Sequence, residues 1–198
     1  LTYWFKFLPR GNDGTNAPMS DAFTLGGNQS VAYTDVWNMS GSQGAGAINV
    51  CVDHADNAGV ASRIYTTREN GTFGQGFVGM RGSAPAKVAT GEKVRLAYLF
   101  QNDDYRTNIG FMNAGATAIT VMAEFFDMDG NSLGTKAIDL LAYSNNQWNN
   151  AFTLDPINAS NIEAGFVDVW TETADANFLT YASIVDQGTG DPTTVWPF

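Results

Sequence analysis

Apolar residues run along this chain in short alternating bursts separated by Gly-, Asn- and Asp-containing turns. Residues 1–8 (LTYWFKFL) lead into Pro-Arg-Gly-Asn-Asp-Gly, a strand followed by a turn cluster. FTLGG, SVAYTDVW from Ser30, GAINVCVD from Gly46 and ASRIYTTR from Ala61 follow as strand-like runs. In GAINVCVD, Ile48, Val50 and Val52 fall on one face and Asn49, Cys51 and Asp53 on the other, the pattern of a half-buried strand. Residues 79–91 (GMRGSAPAKVATG) have the composition of a connector, after which KVRLAYLF, RTNIGFMN and AITVMAEFF resume. Asp129-Gly130 between two strand-like runs predicts a hairpin. SLGTKAIDLL, NNQWNNAFTL, EAGFVDVWTE and FLTYASIV complete the series. No run of ten or more residues has helical periodicity, and strands at ~8–12-residue spacing predict an all-β sandwich or barrel.

The pattern repeats. Residues 22–37 (AFTLGGNQSVAYTDVW) lie over 137–152 (AIDLLAYSNNQWNNAF) without a gap, so that Tyr33 matches Trp148 and Trp37 matches Phe152. FKFLPRGND matches AEFFDMDGN, GAINVCV matches GFVDVWT, and RIYTTRENGT matches TYASIVDQGT. The offset stays between 115 and 119, as expected of two tandem copies of one module. The boundaries implied are 1–90 and 91–198. The second copy carries two strands, 93–100 and 106–112, ahead of its counterpart of residues 1–8; within these residues the first copy has no equivalent. An incomplete sandwich exposes a sheet edge. Three closures are open: residues ahead of Leu1, borrowing of 94–100, or a strand from another polypeptide by β-augmentation.

Composition narrows the function classes. The 198 residues hold ten Lys plus Arg against twenty Asp plus Glu, a net charge of −10 that argues against nucleic-acid binding. The asymmetry is strong, since residues 1–92 carry −1 and residues 93–198 carry −9. No apolar run reaches the ~18–20 residues of a membrane helix. One Cys excludes an internal disulfide, and one His excludes a multi-histidine metal site. The low Cys and Lys content suits an exported protein, and the chain starts at Leu1 with no leader pattern ahead of it.

RTNIGFMNAG from Arg106, the DMDGNSLG hairpin and YASIVDQGTGDPT from Tyr181 resemble a recurrent immunoglobulin-like repeat of large secreted bacterial proteins. FLPRGND, GAINVCV and ASRIYTTRENGTFGQGFVG resemble the corresponding parts of a preceding copy. The resemblance covers nearly the whole chain through turn and strand signatures. It implies two tandem antiparallel Ig-like sandwiches, the first lacking its N-terminal strands. It further implies an extracytoplasmic place and a structural, adhesive or assembly role with a protein partner or a second copy of itself. It carries over no active-site residues.

The chemistry candidates are sparse. Asp127, Asp129 and Asn131 alternate around Gly130 like the start of a Ca²⁺ loop, but Ile138 stands where an EF-hand needs Glu. A plain turn is expected there, and no cofactor, with Ca²⁺ the weak alternative. Cys51 and His54 lie three apart on one strand, on opposite faces and ~10 Å from each other, too far for a nucleophile and its base. No catalytic constellation stands out, and a non-enzyme is expected. Among the aromatic residues, Tyr33, Trp37 and Trp148 occupy repeat-equivalent places and are expected in the core. Leu1, Tyr3, Trp4, Trp170, Trp196 and Phe198 are the interface candidates. An exposed aromatic face would instead suit a glycan.

Overall fold

The computed structural model describes residues 1–41, 44–54, 58–69, 71–80, 88 and 90–198. Thirteen strands are present among them: β1 (Thr2–Pro9), β2 (Phe23–Thr24), β3 (Gly46–Val52), β4 (Ala61–Arg68), β5 (Gly71–Val78), β6 (Lys93–Gln101), β7 (Tyr105–Asn113), β8 (Ile119–Phe126), β9 (Ser132–Leu140), β10 (Asn145–Trp148), β11 (Ile162–Trp170), β12 (Phe178–Asp186) and β13 (Pro192–Val195). The only helical turns among the described residues are two short 3₁₀ segments, Val36–Ser40 and Ala151–Thr153. The fold is all-β and every strand pairing is antiparallel. No helix among these residues is long and apolar enough to cross a membrane. The connector expected at 79–91 lies mostly outside the described residues, but Val88 is fully buried and bridges to Phe178.

The second half is a sandwich of two four-stranded sheets, in the orders β6-β11-β8-β9 and β10-β7-β12-β13. Alternation along the strands turns Leu96, Leu99, Ile109, Phe111, Val121, Phe125, Val167, Val169 and Phe178 into one core, each at most 2% exposed. Burying each such side chain contributes roughly 1.5–3 kcal/mol, so most of the stabilising burial lies in this half. The first half is thinner. A three-stranded sheet in the order β2-β1-β3 buries Tyr3, Phe5 and Phe7 beneath Leu25, Tyr33, Val36 and Trp37. The β4–β5 hairpin stands apart from that sheet and packs on the second half.

Two expected strands differ from the sequence pattern. FTLGG contributes only the two residues of β2, and SVAYTDVW forms no strand. There Asp35 adopts a left-handed backbone (φ 54°) and opens the 3₁₀ turn, breaking the pleat and folding Trp37 back over the sheet. Strand β5 went unrecognised because Gly71, Gly74 and Gly76 dilute its pattern. At Gly74 a Cβ would collide with the Ile64 carbonyl and Tyr65, so the strand needs that residue bare.

The sheet registers of the two halves correspond. Phe7 sits opposite Ile48 and Phe5 opposite Val50, as Phe125 sits opposite Val167 and Ala123 opposite Val169. Tyr3 faces Phe23 as Val121 faces Ile138. Each 3₁₀ turn follows a left-handed residue, Asp35 (φ 54°, ψ 48°) or Asn150 (φ 48°, ψ 51°). Each turn then lays one ring edge-on to a strand phenylalanine: Trp37 on Phe7 at 6.2 Å, Phe152 on Phe125 at 5.1 Å. The strand beneath must be glycine at the crossing. A Cβ on Gly46 would strike Trp37 and the Leu8 carbonyl; one on Gly165 would lie 2.8 Å from the Phe126 carbonyl and 3.3 Å from the Phe152 ring. The Gly165→Ala substitution is therefore expected to cost about 1–3 kcal/mol through overpacking. Urea denaturation measures this, and an unchanged midpoint would contradict the close approach.

Candidate assembly surface

A strand inside a sheet has both edges hydrogen-bonded, and an apolar face held between two neighbours is sealed from water. Strand β11 is in that position, with β8 on one side and β6 on the other. Its counterpart β3 pairs with β1 alone, and among the described residues no strand lies along its other edge. The two strands also differ in burial. Val167 and Val169 are 0% exposed, whereas Ile48, in the place of Val167, is 37% exposed, and Val50, in the place of Val169, is only half-buried.

Besides Val88 and Thr90 of the connector, which bond to Phe178 and Thr173, the described residues join the two halves at two places. At one, the turn after β1 grips the segment joining β9 and β10: Gly11 N–H donates to Asn145 O (2.8 Å), Gly14 N–H to Ala142 O (2.9 Å), and Asn145 Nδ2 to Leu8 O (2.6 Å). The Arg10 guanidinium donates to Gln147 O and, at 3.3 Å, to Asn146 Oδ1, while the Lys6 ammonium lies 4.8 Å from the centre of the Tyr143 ring. Gly14 has to be glycine, because a Cβ would run into the Tyr143 carbonyl. At the other place β5 lies against β12 and β13. Ser183 Oγ bonds Gln75 Oε1 (2.8 Å), Gly74 N–H donates to Asp191 Oδ1 (3.1 Å), and Phe77 packs edge-on to Tyr181 (5.2 Å) and Trp196 (5.9 Å).

These contacts place the interface candidates. Trp196 bridges the halves through Phe77. Tyr3 is buried, its ring beside Phe5, Phe23 and Tyr33 and its hydroxyl bonded to that of Tyr33, so it serves the aromatic cluster of its own sheet. Trp4 is half-buried on β1 opposite Cys51. Trp170 is half-buried beneath the Lys93 ammonium, 4.1 Å from its ring centre. Leu1 is half-buried, its ammonium donating to Leu25 O at 3.1 Å. Phe198 is 78% exposed, although its backbone pairs with that of Arg95. Borrowing of residues 94–100 by the first half does not occur, because β6 is paired along β11 and its Arg95 makes a two-pronged ion pair with Asp168 (2.7 and 2.9 Å).

The sequence pattern missed a second exposed group. Tyr98, at φ 60° and 69% exposed, packs edge-on to Phe100 (4.8 Å), which in turn meets Tyr105 (5.8 Å). Tyr98 and Ala164, the latter also left-handed at φ 52°, lie where the β6–β11 register slips. The signal was present in KVRLAYLFQ: Val94 and Leu96 share one parity, Leu99 takes the other, and a bulge is the way a strand changes parity.

The chemistry candidates resolve into local structure. The Asp127 carboxylate accepts from Asp129 N–H (3.0 Å), Asn131 N–H (2.8 Å) and Asn131 Nδ2 (2.9 Å), and these bonds hold it below the usual carboxylate range. Asp186 is engaged in its own turn by the amide and hydroxyl of Thr189, which lower it similarly. Among the described residues no group of three or more His, Cys, Asp or Glu side chains could hold a metal ion. His54 is exposed and contacts its neighbour Asp53 (3.1 Å), while burial pushes the half-buried Cys51 thiol up.

No protein-family model matches the chain, and no curated protein does. A solved structure described as Thermotoga maritima 1070 shares 13% identity with it at a TM-score of 0.44, over 56% of this chain and 94% of that one.

Two expectations follow from these groups. The hydrogen bond to Tyr33, with burial, pushes Tyr3 up to about 12, above the ordinary value of about 10. A folded-state value above the unfolded one means full stability below pH ~10 and loss as pH climbs toward ~12. Melts between pH 9 and 11.5 should show the decline, and Tyr33→Phe should flatten it; an identical pH slope in the variant would contradict the linkage. Asp127→Ala should lower the melting temperature by the same amount with and without millimolar Ca²⁺. A Ca²⁺-dependent rise in the parent that the variant loses would contradict the turn assignment.

Proposed function

We propose that this chain is a non-catalytic structural unit, two tandem sandwich-type modules divided near residue 90, belonging to an extracytoplasmic adhesive or multi-subunit assembly. The observation that carries the reading is the contrast between two otherwise matching frames. β11 is paired on both sides, and among the described residues β3 is paired on one edge only, with Ile48 and Val50 partly exposed. An open edge of this kind recruits another strand. The direct bonding of the first half to both flanks of a four-stranded sheet supports a load-sharing rather than a hinged arrangement. Location outside the cytoplasm draws support from the single cysteine and the Lys-poor, acidic composition.

The 198-residue chain should self-associate in a concentration-dependent way, seen by sedimentation velocity. Ile48→Lys, placing a charge on the open edge, should raise the concentration needed at least tenfold. A parent chain that stays a folded monomer at every concentration would contradict the assembly role.

A further inference from the structure

We infer that the aromatic group around Tyr98, with the groove beside it, is a binding site for a neutral glycan. The strands that build it belong to the second half and none of them pairs with β3, so the site goes beyond the assembly role and stands or falls apart from it.

Two opposed irregularities create the exposed ring. Along the β6–β11 ladder Leu96 pairs with Val167, Leu99 with Gly165 and Gln101 with Ile162. Ala97 and Tyr98 therefore stand against the single residue Phe166, and Phe100 stands against the pair Glu163 and Ala164. Each strand carries one extra residue, and each surplus pair holds a left-handed backbone, at Tyr98 and at Ala164. That conformation is unfavourable for a bulky residue such as tyrosine. Here it leaves the Tyr98 ring 69% exposed and edge-on to Phe100 at 4.8 Å, with Tyr105 next to Phe100. The close Tyr98–Phe100 contact leaves no slot between the two rings, so Phe100 is a buttress and Tyr98 the platform.

A groove of about 340 Å³ lies between the β6–β7 turn and the start of β11, lined by Asn102, Asp103, Asp104, Ser160, Asn161 and Glu163. Its wall is held in place. Asn102 Oδ1 accepts from the amides of Asp104 (3.0 Å) and Tyr105 (2.8 Å), and Asn102 Nδ2 donates to Glu163 Oε1 (2.6 Å). Gln187 Nε2 donates to the carbonyls of Asn102 and Asp103. Asp103, Asp104, Ser160 and Asn161 are exposed, and their side chains make no hydrogen bond among the described residues.

An exposed ring beside carboxylates, amides and a hydroxyl matches a pyranose. The C–H face of the sugar lies on the ring, and its hydroxyls both donate and accept. A lysine or arginine side chain only donates, which leaves the Asn161 Nδ2 donors unanswered. No Lys or Arg lines the groove, and residues 93–198 carry −9, so an acidic sugar finds no counter-charge there.

The test is to titrate the full chain separately with cellohexaose, mannohexaose, hexalysine and polygalacturonate and follow its amide NMR shifts. At millimolar concentration one of the two neutral hexasaccharides should shift the amides of Tyr98, Asn102 and Asn161. Tyr98→Asn removes the ring and keeps a residue that tolerates the left-handed backbone; it should weaken this binding about tenfold at an undiminished melting temperature. Asn161→Ala, confined to an exposed side chain, should weaken it about threefold, whereas Tyr65→Ala on exposed β4 should leave it unchanged. Absence of shifts with both hexasaccharides, or parental affinity in Tyr98→Asn or Asn161→Ala, overturns the site. Shifts produced by hexalysine or polygalacturonate and not by the neutral sugars overturn the ligand class.

Discussion

Hydrogen-bonding capacity along a strand edge is the constraint on which this molecule turns. Backbone donors and acceptors shielded from water need partners, and a strand flanked on both edges has all of its own paired within the sheet. In the second half every inner strand has two neighbours, and alternation converts directly into full burial. In the first half the same frame is built with the same registers, turn and ring-over-glycine contact, but among the described residues β3 has one neighbour. Its apolar face is left partly open, and the aromatic cluster of Tyr3, Phe5 and Phe7 is covered from above by residues 25–37 instead of by a second sheet.

The rest of the first half compensates by leaning on the second. The β4–β5 hairpin, whose counterparts β12 and β13 lie within the second sandwich, is placed against the outer side of that sandwich. β4 is exposed along its whole length, with Ile64 and Tyr65 outward, while β5 supplies Gln75 and Phe77 to the joint. At the opposite flank, Arg10, Gly11 and Gly14 tie the turn after β1 to the carbonyls around β10. The two halves are thus equivalent in plan and unequal in dependence: the second holds the deep core, and the first draws part of its order from it.

Much of this was legible in the sequence. Strand-like runs located eleven of the thirteen strands, all but β5 and β13, and the Asp129-Gly130 turn marked the β8–β9 hairpin. The repeat, with its offset between 115 and 119, matched Phe7 with Phe125 and Trp37 with Phe152, pairs that the registers and ring contacts bring to equivalent places. What escaped detection did so for physical reasons. SVAYTDVW has strand composition, yet one left-handed residue, Asp35, redirects it, and nothing local distinguishes Asp35 from a strand aspartate. Three glycines in β5, of which Gly74 is needed for close packing, erase the pattern that would announce it. Tyr3 looked like an interface residue because aromaticity alone does not say whether a ring faces inward. The partial exposure of Ile48 was invisible for a different reason: it depends on what lies beside and above the strand, and alternation within one strand carries no information about either.

Native-state hydrogen exchange on the unmodified 198-residue chain tests the open edge most directly, by comparing the amides of Gly46–Val52 with those of Ile162–Trp170. The β3 amides that do not donate to β1 should exchange at least a hundredfold faster than their β11 counterparts, while those bonded to β1 stay protected. Equal protection across both strands in a monomeric sample would mean that β3 already has a second neighbour, and would contradict the contrast between a strand paired on both edges and one paired on a single edge.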